Sequence, residues 1–192
     1  LSPRLGPGTR RDIEYARQHA GEQDLVIFPD EHRARMFQRD AGLREEPVLA
    51  MNCPRLLEDL PAADLKPRLD PRFAKFRTVL YVGTIGPDRG VEESIRSMKF
   101  WPRDSVLVLM GPCSDAYREH LVSVTRQVQT ADRTVFLEPV SPGELWSVRR
   151  GADLAVTLMV PGENERNLWL RYSAGTSNKR FEAMAAGVAQ VT

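Results

Sequence analysis

The chain has 192 residues, room for one large domain or one and a fraction at about 100–200 residues per domain. Lys and Arg number 27 against 26 Asp and Glu, a net charge of +1, which argues against a polybasic nucleic-acid binder. With 42% hydrophobic and 28% charged residues the chain can bury a core, and no apolar run approaches the ~20 residues of a membrane span.

The sequence begins Leu1-Ser2-Pro3-Arg4, neither a start methionine nor a signal peptide, so residues upstream are expected. Cys53 and Cys113 form no CxxC pair and no disulfide framework, which points to a reducing, cytoplasmic compartment. Residues 9–52 read as helix, strand, helix, strand. Leu25-Val26-Ile27-Phe28 is apolar at every position and predicts a strand buried on both faces. Residues 31–41 place Ala34, Met36, Phe37 and Ala41 among charges, a helix with one wet face that Gly42 can stop. Residues 48–51 predict a short strand. Over 53–77, Pro54, Pro61, Pro67 and Pro71 are scattered among charges with no sustained period, which reads as a linker or crossover.

From Thr78 the pattern is regular. Strands are predicted over 79–82, 106–110, 135–137, 154–159 and 188–191, and helices over 91–100, 116–128, from 141, and over 181–186. Glu92 and Glu93 open the first of these helices and Arg96 and Lys99 close it, matching its dipole. Ser141 and Glu144 form a capping box, with Pro142 at the first turn. Strand–helix alternation over this length predicts an α/β fold, a Rossmann-like parallel sheet flanked by helices, preceded by the tail of a second Rossmann-like domain. The expected organisation is residues 1–52 as that tail, 53–77 as the crossover, and 78–192 as most of the second domain.

Ligands bind beyond the carboxyl ends of such strands, so loops 83–90, 111–115, 138–144 and 159–179 are the places to look. In Gly83-Thr84-Ile85-Gly86-Pro87-Asp88-Arg89-Gly90, glycines admit a phosphate to the backbone and Arg89 can pair with a diphosphate. The same glycines also suit a plain strand-to-helix turn, and the spacing is neither GxGxxG nor a P-loop. Ser177 or Asn178 can cap the last helix, and Glu182 in its first turns is either a surface carboxylate matched to the dipole or a reader of paired sugar hydroxyls. His19, His32 and His120 have no metal-ligand spacing and read as solvated helix positions, and no Asp-x-Asp motif occurs. Trp101, Trp146 and Trp169 read as packing residues, although Trp169 shares its loop with Arg166 and Arg171.

Four pieces in order carry a resemblance: Tyr81-Val82-Gly83 through Arg89-Gly90, Leu109-Met110-Gly111-Pro112, Ala152-Asp153-Leu154, and Asn178-Lys179-Arg180-Phe181-Glu182-Ala183-Met184-Ala185-Ala186-Gly187. Together they resemble retaining glycosyltransferases of the GT-B fold, most of all the broad family 4 group, and the match covers residues 78–192. The resemblance implies that this part holds a nucleoside diphosphate sugar, its substrate, with no cofactor and no metal. It implies that Glu182 contacts the nucleotide ribose, that Arg89 holds the donor diphosphate, and that Gly83 lets the loop approach it. Asn178 and Lys179 fall in the same donor-binding motif, and Val140 and Leu145 fall where the nucleobase is lined.

Two positions depart from the pattern: Ala174 stands eight residues before Glu182, where a first carboxylate is usual, and Thr84 follows Gly83, where Arg is common. Losing one of two basic contacts is expected either to weaken donor binding or to shift that role to Lys179. The implied activity is sugar transfer with retention to an acceptor that is a glycan, a lipid-linked sugar or a small molecule, in polysaccharide biosynthesis, with membrane contact through the first domain. The 192 residues alone are expected to be inactive. A non-catalytic nucleotide-sugar-binding module and a GT-B-fold enzyme of another reaction, such as a sugar epimerase, stay open as alternatives.

Overall fold

Short apolar runs separated by a helix of one wet face give, at the start of the chain, a small parallel ladder. The computed structural model describes residues 11, 14, 15, 18–54, 63–158 and 177–192. They divide into two compact units, cut between Cys53 and Pro54 and again between Asn178 and Lys179. In the first unit β1 (Ile27–Phe28) pairs in parallel with β2 (Val48–Leu49), and α1 (Glu31–Ala41) connects them. The Asp30 carboxylate accepts from Arg33 N at 2.7 Å and starts α1, and Gly42 ends it with its N–H on Gln38 O. Phe28 packs on Phe37 with ring centroids 5.2 Å apart. The expected burial on both faces is not found: Leu25 and Ile27 are 59% and 54% exposed. Among the described residues a two-stranded ladder under one helix has only one face to cover, so the other stays wet.

The second unit holds the regular α/β pattern. Its strands are β3 (Arg77–Val82), β4 (Ser105–Met110), β5 (Thr134–Leu137), β6 (Leu154–Val156) and β7 (Gln190–Val191). They form one parallel sheet in the order β5-β4-β3-β6-β7. The helices between them are α2 (Val91–Ser97), α3 (Asp115–Gln127), α4 (Leu145–Arg150) and α5 (Asn178–Ala185). Side chains of a strand alternate between faces, and both faces are apolar here. Val79, Tyr81, Leu107 and Leu109 pack on one side against Val91, Ile95, Leu121 and Val124 from α2 and α3. Leu80, Val106, Val108 and Met110 pack on the other against Val148 of α4 and against Leu65, Leu69 and Phe73. Trp101 packs at the rim of the first cluster, as a packing residue should.

The register is fixed at the amino end. Thr78 N and Oγ1 donate to the Asp153 carboxylate at 2.7 and 2.9 Å, tying β3 to the start of β6. The capping box forms as expected: Ser141 N donates to Glu144 Oε2 at 3.2 Å, and Glu144 N to Ser141 Oγ at 3.4 Å. The expected helix over 91–100 is α2 followed by a 3-10 turn, Met98–Phe100. The strand expected over 154–159 is β6, which ends at Val156, and Met159 lies outside the described residues.

The stretch expected as a linker or an irregular crossover packs on the sheet where it is described. Pro67 and Pro71 sit in the first turns of two 3-10 turns, Lys66–Arg68 and Pro71–Phe73. Those turns present Leu65, Leu69 and Phe73 to the sheet, and Leu65 is wholly buried. Proline fixes φ for a tight turn as readily as for an extended spacer. Leu65→Ala should therefore cost about 2–5 kcal/mol, as for a core leucine. Urea denaturation measures it, and a loss within about 0.5 kcal/mol, the size of a surface change, would return 63–76 to the linker class.

Candidate functional site

In an open parallel sheet the ligand crevice lies beyond the carboxyl ends, where the strand order reverses. Here the reversal falls between β3 and β6, since the chain winds outward from β3 through β4 to β5 and then returns to β6 on the other side. The loop after β3 and the first turn of α5 border that point.

The loop after β3 is pinned to the loop after β4. Gly83 N donates to Met110 O and Ile85 N to Pro112 O, both at 2.9 Å, and Ile85 and Cys113 form a parallel bridge. At Gly111, φ +148°, a Cβ would overlap Gly83 O and lie 2.7 Å from Gly83 C, so the two backbones touch as only glycine permits. At Gly83, φ +130°, a Cβ would overlap Lys179 Cε and lie 2.7 Å from Nζ. The side chain missing from Gly83 is the space that Lys179 occupies.

Lys179 is the second residue of α5. Its ammonium donates to Tyr81 Oη at 3.1 Å and stands 4.8 Å over that ring. Tyr81, wholly buried in β3, donates its own hydroxyl proton to Thr84 O at 2.6 Å. One phenol thus links the loop backbone to the lysine. Burial pushes the Lys179 ammonium down to about 8, helped by the charges of Arg89 and Arg149 and opposed by Glu182. Burial likewise pushes the Tyr81 phenol well above its usual value, so it stays protonated.

Arg89 ends the 3-10 turn Pro87–Arg89 in the loop after β3, half-buried. Glu182 lies on α5 and pairs with Arg149 of α4. That arginine side chain is 8% exposed against 28% for the glutamate, and burial holds its pKa below the usual guanidinium value despite the carboxylate. The reading of Glu182 as a solvated surface carboxylate therefore fails. Among the described residues neither Arg89 nor Lys179 forms an ion pair. Among the described residues three cations and one carboxylate meet here, and such an excess of partly buried positive charge suits an anion.

Of the residues singled out in the sequence, Gly83, Arg89, Lys179 and Glu182 come to this crevice. Asn178 opens α5, with Ser177 just before it. Val140 and Leu145 pack at the edge of the second core cluster, beside Leu137 and Val135. They do not line the cavity beyond β4 and β5, which opens between Ile85, Gly111, Cys113, Arg118, Phe136 and Pro139. Arg118 covers the Phe136 ring at 5.3 Å and pairs with Glu138 at 3.2 Å. Arg166, Trp169, Arg171 and Ala174 lie outside the described residues. His19 and His120 each bind a carboxylate, Glu22 at 2.9 Å and Glu92 at 2.6 Å.

Two members of the site escape a reading of the sequence alone. Arg149 follows Val148 and precedes Arg150, so it passes as one of two solvated basic residues at a helix end. Its spacing carries the signal, since Leu145, Val148 and Arg149 share one face of α4 at i, i+3 and i+4. Tyr81 passes as one more apolar strand residue, and nothing in its neighbours marks the hydroxyl.

No protein-family model and no curated protein matches the sequence. Solved structures match the fold. HepE from Anabaena, in complex with UDP and glucose, is 19% identical over all of this chain and 51% of its own, with a TM-score of 0.73. Sucrose-phosphate synthase from Thermosynechococcus elongatus is 16% identical over 94% of this chain and 43% of its own, TM-score 0.63. WaaG, a glycosyltransferase involved in lipopolysaccharide biosynthesis, is 16% identical over 97% of this chain and 49% of its own, TM-score 0.59. The chain spans about half the length of the solved structures it matches, and its α/β fold is that of GT-B glycosyltransferases.

Proposed function

We propose that this chain is the donor-binding part of a retaining glycosyltransferase, which moves a sugar from a nucleoside diphosphate sugar to an acceptor. The observation that carries the reading is the pair of cations, Arg89 and Lys179, without ion partners among the described residues, at the strand reversal of a fold shared with glycosyltransferases. HepE is in complex with UDP, which makes UDP the first nucleotide to try.

Each residue then has a task. Gly83, with no Cβ, leaves room beside the loop backbone for the Lys179 ammonium. Arg89 offers phosphate a planar fork of donors, and Lys179 a compact charge. The reading gives charge stabilisation to these two side chains rather than to a bound cation. Glu182 accepts from the ribose hydroxyls, and Asn178, four residues earlier, starts α5.

In the transfer step the bond from sugar C1 to the phosphate oxygen breaks, and the diphosphate keeps the electron pair. The acceptor oxygen bonds to C1 on the same face, and its proton passes to the departing phosphate oxygen. No protein nucleophile is needed. What the site contributes is charge held in place where the diphosphate develops it.

Arg89→Ala should weaken UDP binding by about tenfold to a hundredfold, the range for a charged hydrogen bond, and leave uridine binding unchanged. Isothermal titration of the full chain with both ligands measures this. Equal losses for the two, or no UDP binding by the unmutated chain, would sink the reading.

Lys179 adds a dependence on pH. Its folded pKa of about 8 lies below the unfolded 10.5, so between those values the unfolded chain holds more protons and the ligand-free stability rises with pH. A bound diphosphate is already ionised there and draws the proton back onto Lys179. UDP binding should therefore take up protons between pH 8 and 9, seen as a dependence of the titration enthalpy on the buffer's ionisation enthalpy, and weaken above that range. Lys179→Met should abolish the uptake and raise the ligand-free Tm at pH 7. Uptake that survives the substitution would remove Lys179 from the diphosphate.

A further inference from the structure

Glu182 binds Arg149 Nη2 through Oε2, and Oε1 has no hydrogen bond among the described residues. The two oxygens of one carboxylate thus differ: one is fixed to a buried guanidinium, the other is free on a side chain 28% exposed. We infer that Arg149 is the positioning residue for Glu182, holding one oxygen so that the other is presented to the two ribose hydroxyls. The inference rests on the proposed donor site.

Three arguments support it. A free glutamate loses rotamer entropy when it is ordered by a ligand, and a fixed partner removes that cost before binding. Arg149 can be that fixed partner because packing surrounds it, with Leu145 and Val148 on the same face of α4 and only 8% of its side chain exposed. The third concerns charge. A bare carboxylate close to a diphosphate site would repel the ligand, and pairing with a guanidinium cancels its field at short range. The facing groups are few: Arg149 feels Glu182 as its attractive partner, and Lys179 feels Arg149 and Arg89 against Glu182.

A purely structural role, a buried pair holding α4 to α5, is the competing account. The two separate on whether Arg149 affects the reading of ribose. The probes are UDP and 2′,3′-dideoxyuridine diphosphate, titrated into the full chain. The unmutated protein should prefer UDP by about tenfold to a hundredfold, and Glu182→Gln should reduce that preference to about threefold or less. Arg149→Met should lose the preference to the same extent, while Arg149→Lys, which keeps the charge but not the fork, should retain part of it.

If Arg149→Met is folded by circular dichroism and keeps the full preference, the inference is overturned and the pair is structural. If Arg149→Met does not fold, Arg149→Lys decides in the same way: a reduced preference supports the inference and an unchanged one overturns it. An unmutated protein that binds UDP and its dideoxy analogue equally well overturns the inference but leaves the diphosphate site standing. Failure to bind either overturns both readings.

Discussion

Among the described residues, the carboxyl edge of the sheet between β3 and β6 carries more positive than negative charge. Arg149 has Glu182, but Arg89 and Lys179 have no ion partner among the described residues. Taking a cation out of water is costly, and the lowered Lys179 pKa registers that cost. Packing elsewhere meets it: both faces of β3 and β4 are buried, and the loop after β3 is bonded to the loop after β4. A rigid platform can hold charges that would otherwise move apart, and an incoming anion releases the tension.

The rigidity comes from contacts between loops rather than from side-chain ion pairs. Gly111 lets one backbone lie on another at Gly83, and Tyr81 fixes Thr84 O from below. Lys179 shares that phenol, so the loop and the cation are positioned by the same atom. A change in the loop would be felt by the lysine through Tyr81 before any ligand is present. The site is therefore one mechanical unit, although its parts come from β3, the loop after β4 and α5.

The α/β order was legible because both physical signals agreed. β3 and β4 are apolar on both faces, which only a doubly covered parallel strand requires, and glycine follows each. The Ser141 and Glu144 cap was legible because both partners lie within one turn. What failed depended on contacts made far along the chain. Leu65 and Leu69 look like irregular spacing until the sheet supplies the surface they cover. Leu25 and Ile27 look buried because period alone cannot count how many layers cover a ladder. Arg149 was hidden by composition, since arginine at a helix end is usually solvated, and only its alignment with Leu145 and Val148 gave it away.

The departure at Thr84 gains a physical account from the same geometry. Where the related pattern often has arginine, this chain has an exposed threonine whose contribution is its backbone carbonyl, bonded to Tyr81. The positive charge at this end of the loop enters instead from α5, through Lys179 lying in the space above Gly83. A lysine can take that path only while residue 83 has no side chain, so Gly83 serves two needs at once: the positive φ of the turn and the passage of the cation. A cation anchored on a helix and clamped by a buried phenol is held from two elements at once. The charge here is held by a helix and a buried strand residue together, which favours preorganisation over reach.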